Sequence, residues 1–282
     1  MAGSERAGSE RGGVLARTPD GPPPAPVVQR LRLRYAKRGR LRFSSHRDFQ
    51  RALERALRRA GVPMAYSAGF TPHPRISFAG AAPTGAASEA EYLEIALARR
   101  CDPDSVREAL DDALPPGLDV LEVVEAGAGN LAERLEASVW QVELAGVRQH
   151  EVQGAVAEFL AAPSVEVQRM TKNGLRTFDA RSAVLRAEVV IEAGEPAADG
   201  DAPGLTRSGD EEGDAACAIL RLVVRHLTPA VRPDDVLVAL RVVADFAPPS
   251  PPRVTRLAQG PLEHGNGAVA DPLAADRNAA DT

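Results

Sequence analysis

Two histidines are the main candidates for acid–base chemistry in this chain. His73 lies between two prolines in the loop from Gly69 to Pro74, and Arg75 follows closely. Because prolines restrict such a loop, His73 and Arg75 would be held ready to contact a phosphate or to transfer a proton. His46 follows Ser44-Ser45, where a phosphate could bind at the start of a helix. The spacing fits an exposed turn and an exposed helical residue just as well.

The spacing of histidines and cysteines predicts no metal site, and no cofactor is expected. Neither Cys101 nor Cys217 has another Cys or a His within four residues, whereas tight metal sites use closely spaced ligands. Ser44-Ser45-His46 is better explained by helix capping than by a nucleophile and its base. Two distant cysteines offer no disulfide framework, so a reducing cytoplasm is the expected location.

Positive charge is concentrated near the start of the chain. Twelve of the 30 residues from Arg30 to Arg59 are Arg or Lys and two are acidic, so this block carries about +10 in a chain of net charge −5. Such a block repels itself, and a polyanion would neutralise it, which indicates phosphate backbones first. The alternative is a solvated arginine-rich surface without a ligand.

Aromatic residues lie among these basic residues, and stacking of bases on aromatic rings favours single-stranded RNA over duplex DNA. Most of these rings are expected in the core. They are Tyr35, Phe43, Tyr66, Phe70 and Phe78.

The elements that would position these groups begin with a strand. From Arg30 to Tyr35, arginine alternates with apolar residues, which predicts a half-buried strand with arginine on its solvent face. Ser45 and Asp48 then form a capping signal, and apolar residues at helical spacing predict a helix that ends at Gly61. The other side of this helix carries one arginine per turn, namely Arg47, Arg51 and Arg55.

The whole pattern predicts an α+β fold. The first half has the order β-α-β-(β)-β-α-β, including a helix that begins at Asp102-Pro103. The second half repeats these elements and adds a hairpin signal at Asn173-Gly174 and a helix that begins at Pro233. Because this order is close to the split βαβ unit, we expect two tandem ferredoxin-like subdomains with disordered termini.

Low-complexity segments set the expected boundaries. Residues 1–29 and 247–282 are predicted to be disordered, as is an acidic loop at 194–214 within the second subdomain. The subdomains then cover residues 30–126 and 138–246. No apolar run reaches the roughly 20 residues that span a bilayer, and no apolar signal core occurs near the N terminus, so no membrane segment is expected.

Four segments of the chain resemble the radical-SAM-associated family also called DUF2344, in its stand-alone form. They are Tyr35 to Asp48, Ala68 to Pro74, Pro83-Thr84-Gly85 with the following Glu91-Tyr92-Leu93, and Arg169 to Arg181. The resemblance covers Arg30 to Val243 and implies a partnership with a radical SAM protein and a link to the ribonuclease E/G pathway. The chain has no C-x-x-x-C-x-x-C motif, so any iron–sulfur chemistry would belong to a partner in trans.

The leading hypothesis is a cytoplasmic, non-catalytic RNA-binding accessory module. RNA is its expected partner, and it would work with a radical SAM enzyme or an RNA maturation factor in tRNA or rRNA processing or modification. The residues predicted to bind RNA or phosphate are Arg34, Lys37, Arg38, Arg40, Arg42, Ser45, His46, Arg47, Arg51, Arg55, Phe70, His73, Arg75, Lys172 and Arg181.

Two further hypotheses stay open at this stage. The chain could be an enzyme that acts on a phosphorylated substrate through His73 and His46. It could also be an interaction scaffold whose basic face binds an acidic partner protein. The sequence favours neither a particular RNA nor a particular reaction.

Overall fold

The computed structural model describes residues 24–171, 174–190, 217–263 and 267–280. The elements of its first half are β1 (Gln29–Lys37), α1 (His46–Arg59), β2 (Ile76–Ala79), β3 (Ala87–Leu97), α2 (Pro103–Ala113) and β4 (Leu118–Glu125). A short 3-10 helix, Gly39–Phe43, connects β1 to α1.

Local sequence signals explain where α1 and α2 begin, as predicted. Ser45 precedes α1, and its hydroxyl accepts a hydrogen bond from the Asp48 N–H at 3.2 Å. Gly61 follows the end of α1 with φ at +64°, a conformation that glycine adopts without strain. Asp102 caps α2 by accepting a hydrogen bond from the Ser105 N–H at 2.9 Å.

The second half contains a longer series of elements. They are β5 (Ala137–Ala145), α3 (Gln149–Ala161), β6 (Glu166–Thr171), β7 (Gly174–Asp179), β8 (Val184–Val190), β9 (Cys217–Arg225), α4 (Pro233–Ala244), β10 (Arg253–Gly260) and α5 (Ala274–Ala280). β6 and β7 form a separate two-stranded sheet. Asn173 of the expected turn between them lies outside the described residues.

One mostly antiparallel, eight-stranded sheet joins the two halves. The strands of the first half lie in the order β4-β1-β3, with β2 also paired to β3, and those of the second half lie in the order β10-β5-β9-β8. β10 pairs with β3 in parallel and with β5 in antiparallel orientation. The sheet is therefore continuous across the chain, and the fold is a mixed α+β fold, as predicted.

Two apolar cores lie between this sheet and the helices α1 to α4. In the first half Leu33 and Leu93 pack with Leu53 of α1 and Leu110 of α2. In the second half the large core residues include Trp140, Phe159 of α3 and Leu240 of α4. Each helix buries one stripe of apolar residues, as the helical spacing requires.

The C-terminal segment is ordered where it is described, so the prediction of a disordered tail at 247–282 is wrong. Arg253–Gly260 forms β10, a central strand of the sheet, and Ala274–Ala280 forms α5. The proline run that suggested disorder ends at Pro252, immediately before the strand begins. The second folded unit therefore extends well beyond residue 246. The acidic segment 194–214 lies outside the described residues.

The outer face of β1 is also different from the prediction. Arg32 was expected at the solvent face, but it is 1% exposed. It donates hydrogen bonds to both carboxylate oxygens of Asp276 in α5, at 2.7 and 3.0 Å, and another to Glu94 at 3.1 Å. Arg134 also donates to Asp276, at 2.8 Å. A buried ion network thus holds α5 against the sheet on the face opposite α1.

Candidate nucleic-acid interface

The exposed side of α1 carries a row of arginines that we call the α1 ridge. Its members, Arg47, Arg51 and Arg55, are exposed and lie one turn apart. None of the three forms an ion pair with another described residue. The carboxylate in the first turn, Asp48, instead accepts a hydrogen bond from the Ser45 hydroxyl at 2.6 Å. The guanidinium groups of the ridge are therefore available to an external anion.

The 3-10 helix before α1 adds an aromatic surface to this region. Phe43 is 59% exposed, and the guanidinium of Arg42 lies 4.6 Å from the centre of its ring. Arg40, on the same short helix, is exposed. An exposed ring covered by a guanidinium offers both a stacking surface and a positive charge, which single-stranded nucleic acids use.

A cleft of about 650 Å³ opens beside the first turn of α1, and we call it the junction cleft because both halves of the chain line it. The strands of the first half provide Tyr35, Lys37 and Glu91, and α4 of the second half contributes its start. The full lining is Tyr35, Lys37, Ser44, Ser45, His46, Phe49, Ala81, Ala82, Pro83, Thr84, Glu91, Arg232 and Asp234. Ligand sites are frequent at such boundaries between structural units.

A buried ion pair forms the floor of the junction cleft. Arg256 of β10 pairs with Glu91 of β3, and both side chains are 3% exposed. Arg256 also donates a hydrogen bond to the Gly80 carbonyl at 2.6 Å and lies 5.4 Å from the centre of the Trp140 ring. The second carboxylate oxygen of Glu91 accepts from the Ala82 N–H at 3.1 Å. Both Glu91 oxygens are thus engaged, which fixes the floor in one arrangement.

Lys37 differs sharply from this pair. It is 6% exposed and lines the cleft, yet its ammonium has no hydrogen-bond or ion-pair partner within the part of the chain that the structure describes. Burial lowers the pKa of Lys37, an effect that nearby Glu91 opposes and Arg256 reinforces. Although the Lys37 side chain is largely buried, its nitrogen keeps contact with solvent at the cleft, and a positive charge there attracts an anion.

The two helix starts supply further polar groups at the cleft. The His46 ring makes an edge contact with Phe78, with 4.6 Å between ring centres, and is otherwise exposed. Arg232 precedes α4, and its backbone N–H donates to the Asp235 carboxylate at 2.8 Å. Its side chain is exposed at the rim, as is that of Asp234.

Three residues predicted to bind RNA are instead engaged within the protein. Arg34 donates to the Glu89 carbonyl at 2.9 Å. Arg38 pairs with Glu89 and, at 2.7 Å, with Asp119. Arg181 donates to the carbonyls of Leu160 and Val184 at 2.9 to 3.3 Å. Their main role in the structure is to connect elements, which leaves them less available than the ridge.

The proline loop stands apart from the junction cleft. Phe70 is 72% exposed, His73 and Arg75 are exposed, and Arg75 donates to the Tyr66 carbonyl at 3.2 Å. Between His73 and His46 the described residues show no hydrogen bond or ring contact. The two histidines of the enzyme hypothesis therefore make no direct contact with each other among the described residues. Lys172 lies outside the described residues.

Sequence reasoning found Lys37, Ser45 and His46 but missed Glu91, Arg232 and Arg256. Glu91 belongs to one of the family-like motifs and received no role. Arg256 lies in the segment that the proline run predicted to be disordered. Arg232 is a single arginine before a helix, and such a residue gives no local signal in the sequence. Across the four described ranges, no group of three His, Cys, Asp or Glu side chains could hold a metal ion, and no helix has the length and apolar character needed to cross a bilayer.

The fold and the cleft thus define a two-part α+β protein with a basic surface. The chain belongs to a family described as an uncharacterized protein conserved in bacteria (DUF2344), whose model matches residues 30–233. The match includes Lys37, His46, Glu91 and Arg232 and ends before β10. No curated protein matches the chain.

Proposed function

We propose that this chain is a non-catalytic, cytoplasmic RNA-binding module composed of two tandem ferredoxin-like subdomains. The strand orders support the two-subdomain arrangement. In each half the element order is strand, helix, strand, strand, helix, strand once the β6–β7 hairpin is set aside, and the fourth strand lies at one side of the first strand. This is the connectivity of the split βαβ unit.

The observation that carries the proposal is the α1 ridge. Arginines four residues apart on a helix are separated by about 6 Å along its axis, so their guanidinium groups can reach neighbouring phosphates. The exposed Phe43 ring under Arg42 adds a place where a base can stack. A charged row that forms no ion pair among the described residues, and has only the nearby Asp48 carboxylate on its own helix, is more consistent with a polyanion ligand than with a structural role.

The family resemblance supports a radical SAM enzyme or an RNA maturation factor as the protein partner. The chain contains two cysteines in all, which is too few to bind a cluster that requires three or four cysteine ligands. In this proposal the partner carries out the chemistry, and the present chain binds the RNA. Links to the ribonuclease E/G pathway are part of the same proposal.

Charge reversal on the ridge tests RNA binding directly. The variant Arg47→Glu/Arg51→Glu/Arg55→Glu is compared with the control Arg186→Glu/Arg225→Glu/Arg241→Glu, whose three sites are exposed in the second half. Affinity for tRNA and rRNA fragments is measured at several salt concentrations. We expect the ridge variant to lose most of its affinity and to flatten the salt slope by about one per lost phosphate contact, while the control keeps both.

Equal behaviour of the two triple variants, or affinity that does not depend on salt, would contradict the proposal. A pull-down from nuclease-treated extract separates RNA binding from the scaffold hypothesis. A scaffold would retain an acidic partner protein after RNA digestion, and this retention would depend on the ridge arginines. A module that reaches its partner through RNA would lose it.

A further inference from the structure

We infer that the junction cleft binds a phosphate monoester, with the Lys37 ammonium as its innermost counter-ion. This site is distinct from the α1 ridge, which would bind the RNA backbone. Binding of the phosphate itself does not depend on the proposed function. The assignment of a phosphorylated RNA end as the natural ligand does rest on it.

The first support is the contrast between Lys37 and Arg256. Lys37 lines the cleft and Arg256 pairs with the lining residue Glu91, and the two cations are 6% and 3% exposed. Arg256 is neutralised by Glu91, whose other oxygen is occupied by the Ala82 N–H. The described residues show no hydrogen bond or ion pair between Glu91 and Lys37, although the Glu91 carboxylate is near enough to raise the pKa of Lys37. Buried charges are stable in proteins when they are paired, so an external anion is the partner that Lys37 can best use.

The second support is the set of donors around Lys37. Ser44 and Thr84 carry hydroxyl groups on the cleft lining, and His46 begins α1 there, whereas the Ser45 hydroxyl on the lining already donates to Asp48. The N–H groups in the first turn of a helix have no partners within the helix and favour anions. Arg232 adds a second full positive charge from the other half of the chain. A tetrahedral dianion can use donors that converge from several directions in this way.

The two carboxylates on the lining determine how a phosphorylated ligand is oriented in the cleft. Glu91 is neutralised by Arg256. Asp234 is exposed at the rim beside Arg232 and would repel a phosphate placed next to it. The phosphate therefore belongs on the side of Lys37 and His46. A carboxylate such as Asp234 can accept hydrogen bonds from sugar hydroxyls, which favours a ribonucleotide over a simple anion.

The test compares RNA oligonucleotides of one sequence that end in hydroxyl groups, in a 5′-phosphate or in a 3′-phosphate. AMP and inorganic phosphate are the two small probes. All are titrated into the full-length chain at one salt concentration. We expect at least one phosphorylated end to bind about tenfold more tightly than the hydroxyl ends, which is the effect of one added charge-assisted contact.

Two substitutions identify the site. Lys37→Met should remove the gain that the phosphate gives, measured as the ratio of the affinities of this variant for phosphorylated and hydroxyl-ended RNA. Arg232→Gln is the second variant, since its backbone N–H still caps α4, and it should reduce the gain without abolishing it. The ridge triple variant should lower the affinity for phosphorylated RNA and for hydroxyl-ended RNA by the same factor.

The outcomes separate the two proposals. RNA binding that needs the ridge but shows no preference for a phosphorylated end, with no binding of AMP or phosphate, overturns the cleft site alone. A phosphate gain that survives Lys37→Met overturns it as well. Lys37-dependent binding of AMP without any RNA binding supports the cleft and overturns the RNA-binding function. AMP that binds as tightly as the oligonucleotide end identifies a free nucleotide as the source of the phosphate.

Discussion

Strand β1 and helix α1 are both rich in arginine, but the structure uses their arginines in opposite ways. Arg32 is buried in a network with Asp276, and Arg30 and Arg34 are bonded to β3 and the residues near its start. The arginines of α1 extend outward without ion-pair partners among the described residues. The share of arginine is similar in the two elements, three of nine residues in β1 and five of fourteen in α1, so it does not distinguish a structural arginine from one available to a ligand. The position of the acidic partners makes this distinction.

The geometry of the two elements explains this difference. Alternate residues of a strand point to opposite faces of the sheet, and both faces of β1 are covered. An arginine on its outer face must therefore meet an acid or lose its hydration without compensation. A surface helix needs only one covered stripe. Its other residues stay hydrated and need no partner.

Removing the C-terminal segment should have the largest effect, because it should disrupt the sheet to which β1 belongs. Deletion of residues 248–282 removes β10, which pairs with both β3 and β5, and removes Asp276. We expect the truncated chain to lose cooperative folding, which circular dichroism melts and gel filtration would show. A cooperative melt within a few degrees of the full-length chain would contradict the central role of β10.

A single substitution in each element compares the contribution of a buried arginine to stability with that of an exposed one. Arg32→Met leaves Asp276 buried with Arg134 as its remaining cation, and we expect it to lower the free energy of unfolding by about 3 kcal/mol. Arg51→Met removes an exposed charge and should change stability by less than about 0.5 kcal/mol. Urea unfolding of both variants at pH 7 measures the difference. Similar losses in the two variants would remove the distinction between the elements.

Replacing the acid of the β1 network should have a smaller effect than replacing Arg32, and this effect should depend on pH. Burial raises the pKa of Asp276, but hydrogen bonds from Arg32, Arg134 and the Gly127 N–H outweigh it and hold the pKa below its usual value. A lowered carboxyl pKa gives stability that is complete above the unfolded pKa of about 3.9 and is lost as the pH falls through the folded pKa.

Asp276→Asn should therefore reduce stability by a constant amount, about 2 kcal/mol, from pH 7 to about pH 5. The difference from the natural chain should shrink below about pH 4, where the natural carboxylate becomes protonated. Urea unfolding as a function of pH measures this, with Asp48→Asn on the exposed start of α1 as the matched control. A deficit that stays constant down to pH 2 would show that charge is not the source of the effect.

Local signals were sufficient to predict much of the fold from the sequence. Ser45 and Gly61 define α1, and Asp102 with Pro103 defines the start of α2, because these signals act within a few residues. β10 was missed because the prolines before it indicate disorder, and what makes it a strand is its pairing with β3 and β5. That pairing joins residues too far apart for a local pattern to reveal.

The candidate site was predictable to the same limited extent. Lys37, Ser45 and His46 stood within a basic block and a family-like motif, so they were identified. Arg256 reaches Glu91 across 165 residues of sequence, and Asp276 reaches Arg32 across 244. Such contacts follow from tertiary structure alone. The same limit explains why His46 and His73, which look equivalent in sequence, lie in separate environments.

Because β10 lies near the C-terminal end of the chain, its position affects when during synthesis the protein could bind a ligand. The N-terminal half emerges from the ribosome first, and this half already carries the ridge, Lys37 and Glu91. Arg256 neutralises Glu91 only after nearly the entire polypeptide has emerged. Nascent or prematurely terminated chains that lack β10 would thus lack both the counter-ion of Glu91 and a completed cleft, and under the proposal above they would not bind the phosphate.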